Sequence, residues 1–411
     1  MIDYNTFTLD NGLQIIVNKD TSTPLVAVNL LYNVGAKHEN EDCTGLAHLF
    51  EHLMFGGSKN FPSYDAAVEN MCGESNAFTN NDFTNYYLVV PAFRLGEALK
   101  LEADRMKDLI LTQEKLDIQK NVVIEEFKQR YLNQPYGDLW QKIRKLTYEI
   151  HPYKWQTIGK EISHVEKVSL QDARQFYDRF YSPSNAILTI SGNVEQTKDL
   201  FKDFERLVSS SGTSSKPNIP KEPQWQANKN LTTTADVPVN VIVIAFQMCD
   251  RANKDYYVYD LLSDLLSNGK SSRFYNSLVV NKRLFTEIAA CVSGYDDEGL
   301  FIIMGKYQDD VSIEQGEEAI WQELRSFAQS DVSEDELQKV KNKREASHIF
   351  SNIKALDKAT NIAYYAHLGD VNLINDEAKS YNAVTISQIK ELVDGMVSNK
   401  PCRTLYYLKK A

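Results

Sequence analysis

The 411 residues, 43% of them hydrophobic and 25% charged, suffice for two domains with substantial cores. A formal net charge of −11 with dispersed Lys and Arg excludes a nucleic-acid surface, which needs a basic stripe, and no apolar run is long enough to span a bilayer. The opening MIDYNTFTLDNGLQIIV has no basic n-region, apolar segment or cleavage site, so the expected compartment is cytoplasmic as the chain stands, or periplasmic if a signal peptide has been removed.

Taken in chain order, FTLDNGLQIIVNKD predicts a β-hairpin turning at Asn11-Gly12, and LVAVNLLYNVGAK predicts a further strand. Thr44, as N-cap, and Gly56, as C′ residue, bound a predicted helix of about three turns. A strand or turn pair follows at Ser75 to Thr79 and Thr84 to Val90. Helix is expected from Ala92 to Tyr148, then a strand in NAILTISGNV that ends near Val194. The stretch SSSGTSSKPNIPKEP, Ser209 to Pro223, has the composition of a flexible connector.

Beyond the connector the order of segments recurs. VPVNVIVIAFQM echoes TPLVAVNLLYNV, LLSDLLSNGKSSRFYNSLV echoes HLFEHLMFGGSKNFPSYDAAV, and NKPCRTLYYL echoes SPSNAILTISGN. This repetition predicts an internal duplication: two homologous domains, residues 1–208 and 224–411, joined by 209–223. Strands and helices do not alternate strictly, so each domain is expected to be α+β, a mainly antiparallel or mixed sheet packed with helices. Five scattered cysteines without C-x-x-C spacing indicate neither a disulfide framework nor a thiolate site and are expected to be reduced core residues.

The segment GLAHLFEHLMFGG, Gly45 to Gly57, carries the chemistry. His48 and His52 are four apart and Glu51 is three from His48, so they share a helix face, while Leu46, Ala47, Leu49, Phe50, Leu53 and Met54 cover the rest. A helix apolar nearly all round is normally buried, where imidazole and carboxylate are costly unless paired or metal-bound. One histidine in such a setting would be an ordinary core residue. Two imidazoles at i, i+4 can direct nitrogens to one point, where a zinc ion would need a third protein ligand and leave a fourth position to water. The order His-x-x-Glu-His is the inverzincin signature. GGSK and SNGKSS lack full phosphate-loop spacing and are expected to be helix-to-turn punctuation.

HLFEHLMFGGSKNFPS, then GESNAFTNNDFTNYYLVV, then NVVIEEFKQR together resemble the pitrilysin-type zinc metallopeptidases, specifically the half-length bacterial branch related to mitochondrial processing peptidase. The resemblance implies an endopeptidase or oligopeptidase that hydrolyses unfolded peptides in a chamber formed by two half-length subunits, with one Zn²⁺ per chain. It implies His48 and His52 as ligands and Glu51 as general base. Spacing alone does not choose between Glu125 and Glu126 as third ligand; the resemblance favours Glu126. Gln119 stands where many relatives carry a glutamate, two turns before the ligand, which implies an orienting role. Asn76, Ala77 and Phe78 are implied substrate contacts on an exposed strand edge.

The second half lacks the motif, with Tyr259, Leu262 and Ser263 aligned to His48, Glu51 and His52. Many relatives place an Arg and a Tyr seven residues apart in this half; Val279 and Thr286 stand there here. The resemblance therefore implies a heterodimer in which a zinc-free paralogous subunit supplies the Arg and Tyr, or a homodimer if Arg283 or Tyr295 substitutes. The alternative is a non-catalytic structural or peptide-binding subunit of the same fold.

Overall fold

Alternating residues near the start form the expected hairpin: β1 (Asn5–Thr8) pairs antiparallel with β2 (Gln14–Lys19), and Thr8 opposes Gln14. Gly12 takes the left-handed conformation at φ +87° in the turn. The computed structural model describes residues 1–195, 199–207, 218–329 and 332–410. Most of the expected connector, 209–217, lies outside the described residues.

Four further strands complete the first sheet: β3 (Leu25–Tyr32), β4 (Glu74–Thr79), β5 (Thr84–Pro91) and β6 (Ala186–Gly192), in the order β1-β2-β6-β3-β5-β4. β2 and β6 run parallel and every other neighbour antiparallel. A second sheet holds β7 (Lys229–Ala235), β8 (Val241–Gln247), β9 (Phe285–Ser293), β10 (Leu300–Tyr307) and β11 (Cys402–Lys409), in the order β7-β11-β8-β10-β9. Here too one neighbouring pair, β7 and β11, is parallel. Matching β2, β6, β3, β5, β4 with β7, β11, β8, β10, β9 reproduces both order and direction, so the two halves share one mixed-sheet α+β topology.

The helices are α1 (Leu46–Leu53), α2 (Tyr64–Asn70), α3 (Leu95–Lys107), α4 (Gln113–Phe127), α5 (Leu139–Thr147), α6 (Ile162–Lys167), α7 (Leu170–Phe180), α8 (Lys202–Glu205), α9 (Tyr256–Ser267), α10 (Ile313–Gln329), α11 (Glu334–Phe350), α12 (Ala355–His367), α13 (Leu373–Ala383) and α14 (Ile386–Ser398). The chain divides into two compact units, each discontinuous in sequence. The first comprises Met1–Gln129, Trp155–Ile219 and Ile349–Asn375; the second comprises Arg130–Lys154, Pro220–His348 and Asp376–Ala411.

The expected domains, 1–208 and 224–411, were contiguous, whereas the two halves exchange a helix. α5 buries Leu139, Ile143 and Leu146 against Val241, Val243, Leu405 and Tyr407 of the second sheet. α12 buries Ile362, Ala363 and Ala366 with Ile16, Leu31 and Ile187 of the first. Each helix is amphipathic and must cover an apolar sheet face, but periodicity does not say which sheet.

The cysteines are free, as expected, but only Cys402 is buried; Cys43 and Cys249 are half-buried, and Cys72 and Cys291 are exposed. Cys249 packs against the core of the second unit, so the core assignment is corrected for Cys43, Cys72 and Cys291, whose small side chains need no core position. Among the described residues, no helix is long and apolar enough to cross a membrane.

The packing of α12 generates a prediction. Ile362 is fully buried under the first sheet, so Ile362→Ala should cost about 2–4 kcal/mol in denaturant unfolding followed by tryptophan fluorescence. A loss under about 0.5 kcal/mol, as at an ordinary surface position, would mean that α12 does not cover this core.

Candidate metal centre

Helix α1 starts abruptly. Its first residue follows Gly45, held at φ +94°, where an added Cβ would lie 2.7 Å from the Ile158 carbonyl oxygen. The expected cap, Thr44, does not perform that role. Its hydroxyl accepts from the Lys160 N–H at 2.8 Å and lies 2.9 Å from His164 Nδ1. The capping acceptor is instead Glu39, whose two carboxyl oxygens each accept a backbone N–H at 2.8 Å, from Gly45 and from Ala47. Burial pushes the Glu39 carboxyl up to about 8, against the lowering effect of the backbone N–H groups of Ala47, Gly45 and Leu46.

The other end differs from expectation as well. Gly57, not Gly56, is left-handed, at φ +89°, and a Cβ there would meet the Pro62 carbonyl oxygen at 2.2 Å. The Lys115 ammonium near the start of α4 donates to the Gly56 carbonyl, satisfying a carbonyl just beyond α1.

Between its ends α1 is anchored by aromatic packing. The Phe50 ring stacks on Phe176 at 5.4 Å and lies 5.1 Å from Tyr181, and the Tyr86 hydroxyl on β5 donates to the Phe50 carbonyl at 3.1 Å. Beneath these rings the buried Arg105 guanidinium pairs with Glu102 and sits over the faces of Tyr64 and Tyr86 at 4.7 and 4.6 Å. With Phe50 turned inward, His48 and His52 emerge on the opposite side.

There they meet α4. Glu126 Oε2 lies 3.6 Å from His48 Nε2 and 3.5 Å from His52 Nε2, with the imidazole centroids 4.9 Å apart. One donor atom from each of the three residues lies within 4.8 Å of the others. The side chains are 9%, 25% and 19% exposed for His48, His52 and Glu126, so the point of convergence is shielded but reachable. Glu125, one residue earlier, points away: its carboxylate pairs with Lys128 at 2.7 Å and is 64% exposed, as the 100° step between helical neighbours requires.

This donor set fits a divalent transition metal. Tetrahedral ligands 2.0–2.2 Å from zinc lie roughly 3.3–3.5 Å from each other, close to the two nitrogen-to-oxygen separations seen. Glu51 does not belong to the converging triplet. It is half-buried, and its negative charge helps raise the Tyr86 and Tyr181 phenols, after the larger effect of burial. Gln119 is half-buried on α4, two turns before Glu126.

β4 forms one edge of the first sheet, with Asn76, Ala77 and Phe78 opposite Tyr87, Tyr86 and Asn85. Asn76 is exposed, Phe78 is 37% exposed, and the Ala77 N–H donates to Asn76 Oδ1 at 2.8 Å. The Tyr86 that opposes Ala77 also holds α1, so the strand edge and the histidine helix share a support.

Sequence reasoning missed Glu39 and Lys115. Neither has a motif; the available signal was an acid upstream of a helix whose own first positions are Gly-Leu-Ala, which carry no capping side chain.

In the second unit, the left-handed Gly269 has φ +89°, matching Gly57. Aligning these two glycines shifts the earlier correspondence by one residue and sets Asp260, Ser263 and Asp264 opposite His48, Glu51 and His52. Both acids bind Arg344 on α11: Nη2 reaches Asp260 Oδ1 at 2.8 Å and Nε reaches Asp264 Oδ2 at 2.5 Å. At the positions where relatives carry the Arg and Tyr, Val279 packs on the second core and Thr286 is exposed on β9. Arg283 is exposed at φ +53°. The Tyr295 hydroxyl accepts from Arg144 at 2.5 Å, and its ring lies 4.6 Å from Tyr153.

Comparison with known proteins gives a consistent picture. Residues 14–160 match the family described as Insulinase (Peptidase family M16), and residues 167–344 match the Peptidase M16 inactive domain. The protein named zinc protease PqqE of Helicobacter pylori is 28% identical over 410 residues, covering 98% of this chain and 92% of its own. The crystal structure of a protease from Helicobacter pylori superposes with a TM-score of 0.92 at 27% identity, covering 99% of this chain and 100% of that one. The probable mitochondrial-processing peptidase subunit beta of Arabidopsis thaliana is 22% identical over 72% of this chain and 57% of its own.

The geometry predicts uptake of one divalent metal per chain, measured by mass spectrometry of the intact protein under native conditions. Glu126→Ala should weaken that uptake by more than the 10–100-fold typical of losing an outer partner, whereas Glu125→Ala should leave it within about twofold, as befits an exposed acid. The reverse ranking would contradict the ligand assignment.

Proposed function

This chain belongs to the pitrilysin-type peptidases of family M16, in its half-length form, and on that premise we propose that it is a zinc-dependent endopeptidase or oligopeptidase. His48, His52 and Glu126 hold the metal, and Glu51 is the general base. The observation that carries this reading is the placement of one Glu126 oxygen 3.6 and 3.5 Å from two imidazole nitrogens.

When bound, Zn²⁺ supplies Lewis-acid polarisation of the scissile carbonyl and a water acidified toward neutrality. The rest belongs to the chain. His48 and His52 act as neutral ligands through Nε2, and Glu126 adds one negative charge. Glu51, three residues from His48 and one from His52, accepts the proton of the attacking water and returns it to the departing amine. The β4 edge at Asn76, Ala77 and Phe78 offers backbone groups to an extended peptide, which selects unfolded substrates. To add there, a peptide carbonyl must replace the Asn76 side chain at the Ala77 N–H. Gln119, on the ligand helix, is assigned the orienting role.

The second unit offers no second metal triplet among the described residues, which supports one Zn²⁺ per chain. Val279 and Thr286 provide no cationic or phenolic donor, and Tyr295 is engaged by Arg144. A paralogous half-length subunit that supplies an Arg and a Tyr is therefore the proposed partner, with the heterodimer enclosing the chamber; a homodimer is the competing assembly.

The test is Glu51→Gln with the proposed partner present. Peptide hydrolysis, followed by mass spectrometry, should fall by at least the 10²–10⁴-fold typical of losing general acid–base catalysis, while metal content stays unchanged. Full activity in this variant would remove Glu51 from the mechanism. Bound peptide without products in the wild-type complex would favour the non-catalytic peptide-binding reading instead.

A further inference from the structure

The ligand helix is short, eight residues, and a helix of that length has little stability of its own. Its N-terminal N–H groups and C-terminal carbonyls need external partners. The N–H groups receive one from a side chain outside the helix, whereas the last carbonyls accept from the N–H groups of Met54, Phe55 and Gly56, and the turn that carries these is itself tied to α4. At the start, Glu39, only 8% exposed, accepts from Gly45 and Ala47 through separate oxygens. Glu39 follows a short 3-10 turn, Ala36–His38, whose Ala36 carbonyl is held by Trp155 Nε1 at 3.0 Å. At the far end, Lys115 donates to the Gly56 carbonyl from α4, the helix that carries Glu126.

Ala47 is the residue immediately before His48, so the N–H that Glu39 holds sets the axial position of the first imidazole. Lys115 lies eleven residues before Glu126 on one continuous helix, so its bond to Gly56 sets how far α4 slides along α1. Together the two contacts determine the relation between both imidazoles and the carboxylate.

We infer that Glu39 and Lys115 are positioning residues that bracket the ligand helix and pre-order the triplet, so that metal affinity depends on them although neither touches the metal. The inference rests on the proposed zinc reading for its affinity readout, while its effect on helix order concerns the metal-free protein. A Glu39→Gln substitution leaves one acceptor oxygen where two N–H groups need one each, so a buried donor is left unsatisfied.

The experiment compares wild type, Glu39→Gln, Lys115→Met and a sheet-core control, Ile190→Val, as full chains. Zinc affinity is measured by competition with a chromophoric chelator, and amide exchange across residues 45–53 is measured by mass spectrometry on the metal-free proteins. Glu39→Gln should bind zinc about 10-fold or more weakly, in the range seen for outer partners of metal ligands. Its exchange over 45–53 should accelerate by a similar factor. Lys115→Met, which keeps the apolar stem, should move both quantities in the same direction by a smaller factor, and it serves if Glu39→Gln does not fold. Ile190→Val should lower the unfolding temperature without altering zinc affinity.

Affinity and exchange within twofold of wild type in both bracket variants would overturn the inference. So would an equal loss of affinity in the control, which would make the effect one of general stability. Wild-type protein that takes up no zinc would overturn the metallopeptidase reading, and the exchange measurement would still decide the bracket.

Discussion

The structure depends on one convergence: two imidazoles from one short helix and one carboxylate from another, brought to a common point within 3.6 Å. Nothing intrinsic to either helix enforces this. α1 is held from below by Phe50 in an aromatic cluster and by Tyr86, at its start by Glu39, and through the turn beyond its end by Lys115. Those supports share elements with the β4 edge through Tyr86. The cluster is thus a product of how α1 is packed and held, not of either helix alone.

The second unit shows what the same topology does without that convergence. Its helix pair brings the Arg344 guanidinium against two side chains four residues apart, Asp260 and Asp264. A tethered charge there ties the two helices together. The two acids are almost fully buried, and a buried carboxylate without its partner would be strongly destabilising. One topology thus carries a cluster of two imidazoles and a carboxylate in one unit and an internally satisfied ion-pair cluster in the other.

Much of this was legible in the sequence because it is local. Strand alternation identified the hairpin, β3, β5 and β6, and the i, i+4 spacing put both histidines on one face. The order of echoed segments anticipated an internal duplication, though not the strand order within either sheet. What was not legible depends on distance. Glu39 reaches the helix start through a turn stabilised by Trp155, whose indole bonds Ala36 from far along the chain, so Thr44 was the reasonable and mistaken choice for the cap. The assignment of α5 and α12 to the sheet of the other half leaves no mark in periodicity, since either apolar sheet face would satisfy the same helix. Which of Glu125 and Glu126 approaches the imidazoles needed a direction in space: Glu126 converges on them and Glu125 pairs with Lys128.

The most direct measurement is zinc K-edge X-ray absorption on protein loaded with one equivalent of metal. The account predicts a low-coordinate first shell of two imidazole nitrogens and carboxylate or water oxygens at about 2.0–2.2 Å, with the imidazole scattering reduced by one ring in His48→Ala. A six-oxygen shell, a sulfur shell, or a spectrum indifferent to His48 would contradict it.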